Sequence, residues 1–385
     1  FMKRIVVWLT VLITVMSVIV PVKAEGPEIE APCAILTEAS TGRVIYEKNA
    51  DESLHPASIT KIMTLLIIFD AVDDGSISPE DTVTVSEHAA SMGGSQVFLE
   101  PGETQTVETM IKCIAIASAN DACVAMAEHI SGSEDAFVQS MNERAEALGM
   151  NNTHFVNCCG LDADGHMTTA RDVAIMSREL ITAHPAIHDY SCIWMDTITH
   201  VTRRGESEFV LNNTNKLLKQ YEWATGLKTG STSLAKFCLS ATARRNDIEL
   251  ISVIMASPSG KTRVSDSIAL LNYGYGICSL YHDNNMPSID VIPIKGGIKS
   301  DISVEYSSQM NYLFTDKYDA SLIESHAEYL EDLEAPVQKG DVIGQLTYTY
   351  DGKFMDSIDI IASESIKKAG YGDYINSLWQ CFLGN

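Results

Sequence analysis

The sequence predicts an α/β protein of the α+β kind. An antiparallel sheet is built from both ends of a first domain, a helical subdomain lies between them, and a small all-β domain follows. Three observations predict this. Strand-turn-strand text opens the chain at 33–47 and returns at 236–256, helical apolar spacing fills 106–183, and alternating text with Gly punctuation runs from about 288 to 362. With 385 residues, 45% of them apolar, the chain has room for two domains and a large buried core.

The elements follow in order. Lys3 and Arg4 precede an apolar run from Ile5 to Val22 that ends at Val22-Lys23-Ala24. A basic start, an apolar stretch and a small-residue site read as a secretory signal over residues 1–24. The run is also just long enough for a retained anchor. The first domain is expected over 25–284. In it, Cys33 to Thr37 and Arg43 to Glu47 flank the turn Glu38-Ala-Ser-Thr-Gly42. Pro56 stands where a helix begins. Ile62, Met63, Leu65, Leu66, Ile68 and Phe69 then make that helix apolar nearly all round, which predicts burial in the core. Residues 79–105 are loop-rich, with Gly93-Gly94 and Pro101-Gly102. Thr106 to Ile130 is helical with a break at Ser118-Ala-Asn120, and 133–149 and 170–183 are further helices. Lys236 to Ala243 and Ile248 to Ala256 form a hairpin, covered by a helix over Val264 to Tyr273. Tyr281 to Pro287 reads as a linker, and the β domain occupies 288–362. Over 363–385, Ile366, Tyr371, Tyr374, Ile375, Leu378, Trp379, Phe382 and Leu383 recur at helical spacing. That predicts an amphipathic helix able to lie in a membrane interface.

Charge and cysteine usage exclude several functions. The net charge is −24, and loss of residues 1–24 would remove three basic side chains and no acidic one, giving −27. Phosphate recognition needs a basic surface, so no nucleic-acid partner is expected. Broad adhesion to anionic lipid is disfavoured for the same reason. The nine cysteines are irregularly spaced, with no Cys-x-x-Cys and no His-Glu-x-x-His. Buried free thiols are therefore expected, and neither a metal site nor a cofactor. Cys123 reads as a packed small residue and the acidic run Glu328 to Glu334 as a solvated face. His166, in Asp162-Ala-Asp-Gly-His166, reads as part of a turn, since no closing Glu follows for a calcium loop.

Three strings carry the chemistry: Ser58-Ile-Thr-Lys61, Ser118-Ala-Asn120 and Lys228-Thr-Gly230. Ser-x-x-Lys alone is weak, since it recurs at Ser233–Lys236 and Ser365–Lys368. The ordered set is specific. A serine hydroxyl needs a base beside it, and on a helix Lys61 lies one turn from Ser58 on the same face. The expectation is that the fold gathers the three strings so that two amines, Lys61 and Lys228, flank the single hydroxyl of Ser58.

At these motifs the chain resembles the D-alanyl-D-alanine carboxypeptidases, the low-molecular-mass penicillin-binding proteins. The resemblance extends through His55-Pro-Ala-Ser-Ile-Thr-Lys-Ile-Met-Thr64, Ala117 to Ala127, Thr225-Gly-Leu-Lys-Thr-Gly-Ser231, Gly160-Leu-Asp162 with Gly165-His166, and Leu271-Asn-Tyr-Gly274. It implies a penicillin-binding/β-lactamase-like transpeptidase fold. It also implies a serine peptidase that removes the last D-alanine from peptidoglycan stem peptides ending in D-Ala-D-Ala, with β-lactams as inhibitors. In that reading Ser58 is acylated and Lys61 takes its proton, the charge of Lys228 disfavouring protonated Lys61. Ser118 relays a proton to the leaving amine, and Asn120 holds the substrate amide and the Lys61 amine. Lys228-Thr229-Gly230 forms an edge strand to which substrate adds. The N–H groups of Ser58 and Ser231 make the oxyanion hole, and Thr229 and Arg263 bind the substrate carboxylate. The resemblance implies an exported enzyme, peripheral on the outer face of the cytoplasmic membrane. The alternatives are a class A β-lactamase or a non-catalytic penicillin-binding sensor. The first needs a Glu to activate the deacylating water; Glu179 is followed by Leu-Ile-Thr, Glu-x-x-Leu-Asn between the motifs occurs once, at Glu208-Phe-Val-Leu-Asn212, and the appended β domain and terminal helix count against this alternative.

Overall fold

The computed structural model describes residues 26–202, 204–289, 291–373 and 375. The expected signal at 1–24, together with Tyr374, Leu378, Trp379, Phe382 and Leu383 of the expected terminal helix, lies outside the described residues. Among the described residues no helix is long and apolar enough to cross a membrane.

The first domain is organised by a five-stranded antiparallel sheet. Its strands are β1 (Cys33–Glu38), β2 (Val44–Lys48), β3 (Ala224–Thr232), β4 (Lys236–Arg245) and β5 (Ile248–Ser257), in spatial order β2-β1-β5-β4-β3. The turn from β1 to β2 closes on itself, because the Glu38 carboxylate accepts the N–H groups of Ser40 and Thr41 at 2.8 Å each. Successive side chains of a strand face opposite ways, and here both faces are covered. Ile35, Ile251, Val253 and Met255 join the core beneath the helical subdomain. Ala34, Leu36, Leu250 and Ile254 join a second core. That accounts for strands that read as continuous apolar runs.

The helices of more than one turn in the first domain are α1 (Lys61–Asp73), α2 (Val107–Ala117), α3 (Asn120–Ser131), α4 (Glu134–Ala147), α5 (Ala170–Ala183) and α6 (Gly260–Ile277). Helix α6 covers the second core with Val264, Leu270 and Leu271. The side chains of Thr106, Ser133, Thr169 and Ser259 each accept an N–H in the first turn of α2, α4, α5 and α6, satisfying donors that a helix start leaves open. In α1, Ile62, Met63, Leu65, Leu66 and Ile68 are all buried. The onset of α1 departs from expectation. Pro56 opens a 3-10 turn, Ala57–Thr60, and the α-helix proper begins at Lys61.

The second domain contains β6 (Ser279–His282), β7 (Val304–Tyr306), β8 (Asn311–Phe314), β9 (Ile323–Tyr329), β10 (Val342–Tyr350) and β11 (Lys353–Ala362). Four of them form an antiparallel sheet in the order β7-β11-β10-β9, and β6 pairs with β8. The expected boundaries therefore move. Tyr281 and His282, read as linker, lie in β6 and pair with Tyr312 and Asn311. At the other end, Ile366 is buried and bridges Val337. Its core position explains the apolar residue at 366 without a helix. Residues 363–369 thus belong to the β domain, and the described helical residues begin at 371.

Candidate active site

The nucleophile candidate is placed by strained, closely packed backbone. Ala57 is buried and has φ +48°, a left-handed conformation that costs a non-glycine residue about 1 kcal/mol or more. Two glycines make room for its turn. A Cβ on Gly160, itself at φ +85°, would lie 1.8 Å from the Ala57 carbonyl oxygen, and a Cβ on Gly230 would lie 3.0 Å from the amide nitrogens of Ser58 and Ile59. The loop after Cys159 and strand β3 thus press on the turn from two sides.

Lys61 Nζ is wholly buried and has three neighbours: Ser58 Oγ at 3.2 Å, Asn120 Oδ1 at 2.6 Å and the Cys159 carbonyl oxygen at 2.6 Å. Two of these are pure acceptors and each takes an N–H. In the neutral amine the remaining position, facing Ser58 Oγ, is the lone pair. The geometry itself therefore aims a base at the hydroxyl.

Ser118 ends α2 at φ +62°, and Lys228 Nζ donates to its Oγ at 2.9 Å and to the Thr229 carbonyl oxygen at 3.2 Å. The expected picture of two amines on one hydroxyl changes here. Lys61 serves Ser58, while Lys228 serves Ser118. Lys228 is fully enclosed, and its proton affinity is pushed well below the ordinary lysine range, by burial first and by the neighbouring charge of Lys61 second, so the amine whose charge is disfavoured is Lys228, where the sequence predicts Lys61.

Asn120 is fixed from the far side: its Nδ2 donates to the Gly93 carbonyl at 2.7 Å. The adjacent carboxylate of Asp121 accepts the Val97 and Leu99 amides, tying the Gly93–Leu99 loop to α3. Strand β3 lies at the sheet edge. Thr229 Oγ1 is 2.6 Å from Thr214 Oγ1, and Ser231 is exposed. Arg263 reaches the same strand. Its Nη1 donates to the carbonyls of Gly230 at 2.9 Å and Cys238 at 3.0 Å, so it braces β3 against β4 and places positive charge beside Gly230.

His166 holds the Cys159–Gly160 loop to the nucleophile turn. Its Nδ1 accepts the Val156 amide at 2.9 Å, which leaves Nε2–H to donate to Thr60 Oγ1 at 2.8 Å, and Thr60 in turn donates to the Ala57 carbonyl. Burial, with the His55 and His154 charges adding, lowers its proton affinity to a pKa of about 4. It is a structural residue in a turn, as its motif suggested. The eight cysteines among the described residues are free, and all but Cys192 are buried. Cys123 is a packed residue just behind Asn120, its thiol pushed up by burial.

Motif reading found Ser58, Lys61, Ser118, Asn120 and Lys228, and the fold brings them together. It missed the Cys159 and Gly93 carbonyls and Thr214. Backbone acceptors leave no mark in residue identity, although Gly160 beside Cys159 is one visible trace.

A serine paired with one buried lysine, next to a second serine paired with another, is a constellation for acyl transfer without histidine. The comparisons agree with this class. The D-alanyl-D-alanine carboxypeptidase family matches residues 20–259, and the C-terminal domain of penicillin-binding protein 5 matches residues 281–368. The D-alanyl-D-alanine carboxypeptidase DacF of Bacillus subtilis is 41% identical over 345 residues, which is 89% of this chain and 87% of that one. DacA of Escherichia coli is 32% identical over 375 residues, covering 93% of this chain and 90% of that one. The crystal structure of penicillin-binding protein 5 from Haemophilus influenzae superposes with a TM-score of 0.75 at 29% identity, over 89% of this chain and 99% of that one. The chain belongs to the D-alanyl-D-alanine carboxypeptidase family, the serine-type peptidases of the low-molecular-mass penicillin-binding group.

Proposed function

We propose that Ser58 is the acylated nucleophile of a peptidase that removes the terminal D-alanine from peptidoglycan stem peptides. The substrate's penultimate residue lies along β3, adding to the free edge and passing Thr229, Gly230 and Ser231. Lys61 takes the Ser58 proton as Oγ attacks the carbonyl carbon. The amides of Ser58 and Ser231 receive the developing oxyanion. Ser118, hydrogen-bonded to Lys228, delivers a proton to the departing amine, and Asn120 orients both the Lys61 amine and the substrate amide. Thr229, with the charge of Arg263 beside it, takes the free carboxylate of the substrate. Water then reverses the sequence on the acyl-enzyme, and a β-lactam halts it there. The observation that carries the reading is the placement of the Lys61 amine, 3.2 Å from Ser58 Oγ and held there by Asn120 Oδ1 and the Cys159 carbonyl oxygen. We further place the enzyme outside the cytoplasm, peripheral on the membrane.

The test is intact-protein mass spectrometry after penicillin, on the parent and on Ser58→Ala, beside D-alanine release from a stem-peptide mimic. One added drug mass and D-alanine release on the parent alone are expected. An adduct on the variant would show that another residue is the nucleophile. Rapid loss of the adduct would favour a β-lactamase, and an adduct without D-alanine release would favour a sensor.

A further inference from the structure

Behind the Lys61 acceptor lies a cluster that the acyl-transfer chemistry does not use. Cys158 Sγ and Cys159 Sγ are buried and 3.7 Å apart. Glu134 Oε1, at the start of α4, is 3.3 Å from Cys158 Sγ. The three ligand atoms all lie within 4.8 Å of one another. A tetrahedral zinc ion with ordinary Zn–S and Zn–O bonds holds two sulfurs about 3.8 Å apart and a sulfur and oxygen about 3.5 Å apart. The Cys158–Cys159 and Cys158–Glu134 separations already match, and the third pair lies within 4.8 Å.

We infer that Cys158, Cys159 and Glu134 form a binding site for a thiophilic divalent cation of the zinc class. The second carboxylate oxygen of Glu134 is held by His88 Nε2 at 3.1 Å, the outer-shell support that a ligating carboxylate normally has. That support also provides a way in, since the His88 side chain is 55% exposed and that of Glu134 16%. Cys123 adjoins Cys159 on the inner side. Ligation takes both sulfurs as thiolates, and a thiol proton displaced by the ion leaves to solvent. The effect on the site is mechanical. The ion clips the Cys158–Cys159 segment to α4 and so fixes the carbonyl that holds Lys61.

The experiment uses the full chain, reduced, with Cys192→Ser to remove the one exposed thiol among the described residues and Cys381→Ser to remove the thiol outside them. Equilibrium dialysis against Zn²⁺ should give one tightly held ion per chain. Co²⁺ should give the intense charge-transfer absorption of thiolate ligation. Zn²⁺ should raise the melting temperature. Adding Cys158→Ser should abolish the Co²⁺ band and weaken zinc binding at least ten-fold. Adding Glu134→Gln, at a half-buried position where misfolding is not expected, should weaken zinc binding by a similar factor while keeping the thiolate band. Circular dichroism checks that each variant is folded. Equal zinc affinity with and without Cys158, or a reduced parent that takes up no stoichiometric metal, overturns the inference.

Discussion

Lowering the pH should loosen the active-site floor through His166 before it touches the chemistry. The folded protein keeps this imidazole neutral down to about pH 4, because burial and the nearby His55 and His154 charges oppose its protonation. The unfolded chain protonates it near 6.5, the ordinary value. Between these values the unfolded state binds the extra proton, so stability falls as pH falls. The window runs from about 6.5 to about 4, and above it the full stability is present. Each pKa unit is worth about 1.4 kcal/mol, so a shift of roughly two and a half units sets an upper bound of ~3 kcal/mol lost across the window. Gln at 166 can accept from Val156 and donate to Thr60 without titrating. Urea unfolding of the parent and His166→Gln, measured from pH 7 to pH 4, should therefore converge. The parent should lose ~2–3 kcal/mol more than the variant as pH drops. Parallel stability curves would refute the reasoning, since they would mean that His166 protonates alike in both states.

Two further perturbations separate packing from chemistry. Gly160→Ala puts a methyl group 1.8 Å from the Ala57 carbonyl at φ +85°. Strain alone costs about 1–3 kcal/mol, and the Ser58 turn must move as well, so thermal unfolding should show a lower melting temperature and penicillin acylation should slow sharply. Acylation at the parental rate would mean that the turn tolerates displacement. Lys228→Met removes a buried amine whose charged form is disfavoured by burial and by Lys61. D-alanine release should fall about 10²–10⁴-fold, as for loss of a proton-transfer group, while stability at neutral pH holds or rises. A variant that is both inactive and strongly destabilised would make Lys228 a structural group instead.

Much of the architecture was legible because it is written in local periods. The break at Ser118-Ala-Asn120 lies where α2 ends in a left-handed residue. The apolar surround of α1 marks a helix buried in the core. Local text failed where a residue's partner is distant. Ile366 matches a helical stripe yet pairs with Val337 in the β domain, because an apolar residue at a single position serves either structure. The first residues of the linker-like Tyr281 to Pro287 stretch are a strand, supplied with a partner by Asn311–Phe314.

The amino-acid sequence on its own determined which groups this protein brings to the candidate site: two serines, two lysines, an asparagine and an edge strand with a glycine. Side-chain chemistry is a property of residue type, and ordered spacing preserves it. Only the tertiary structure decided which amine meets which hydroxyl, that Lys61 is aimed by a carbonyl 98 positions away, and that two adjacent thiols meet Glu134. Those outcomes depend on distances of a few tenths of an ångström between segments remote in the chain, and packing alone sets them.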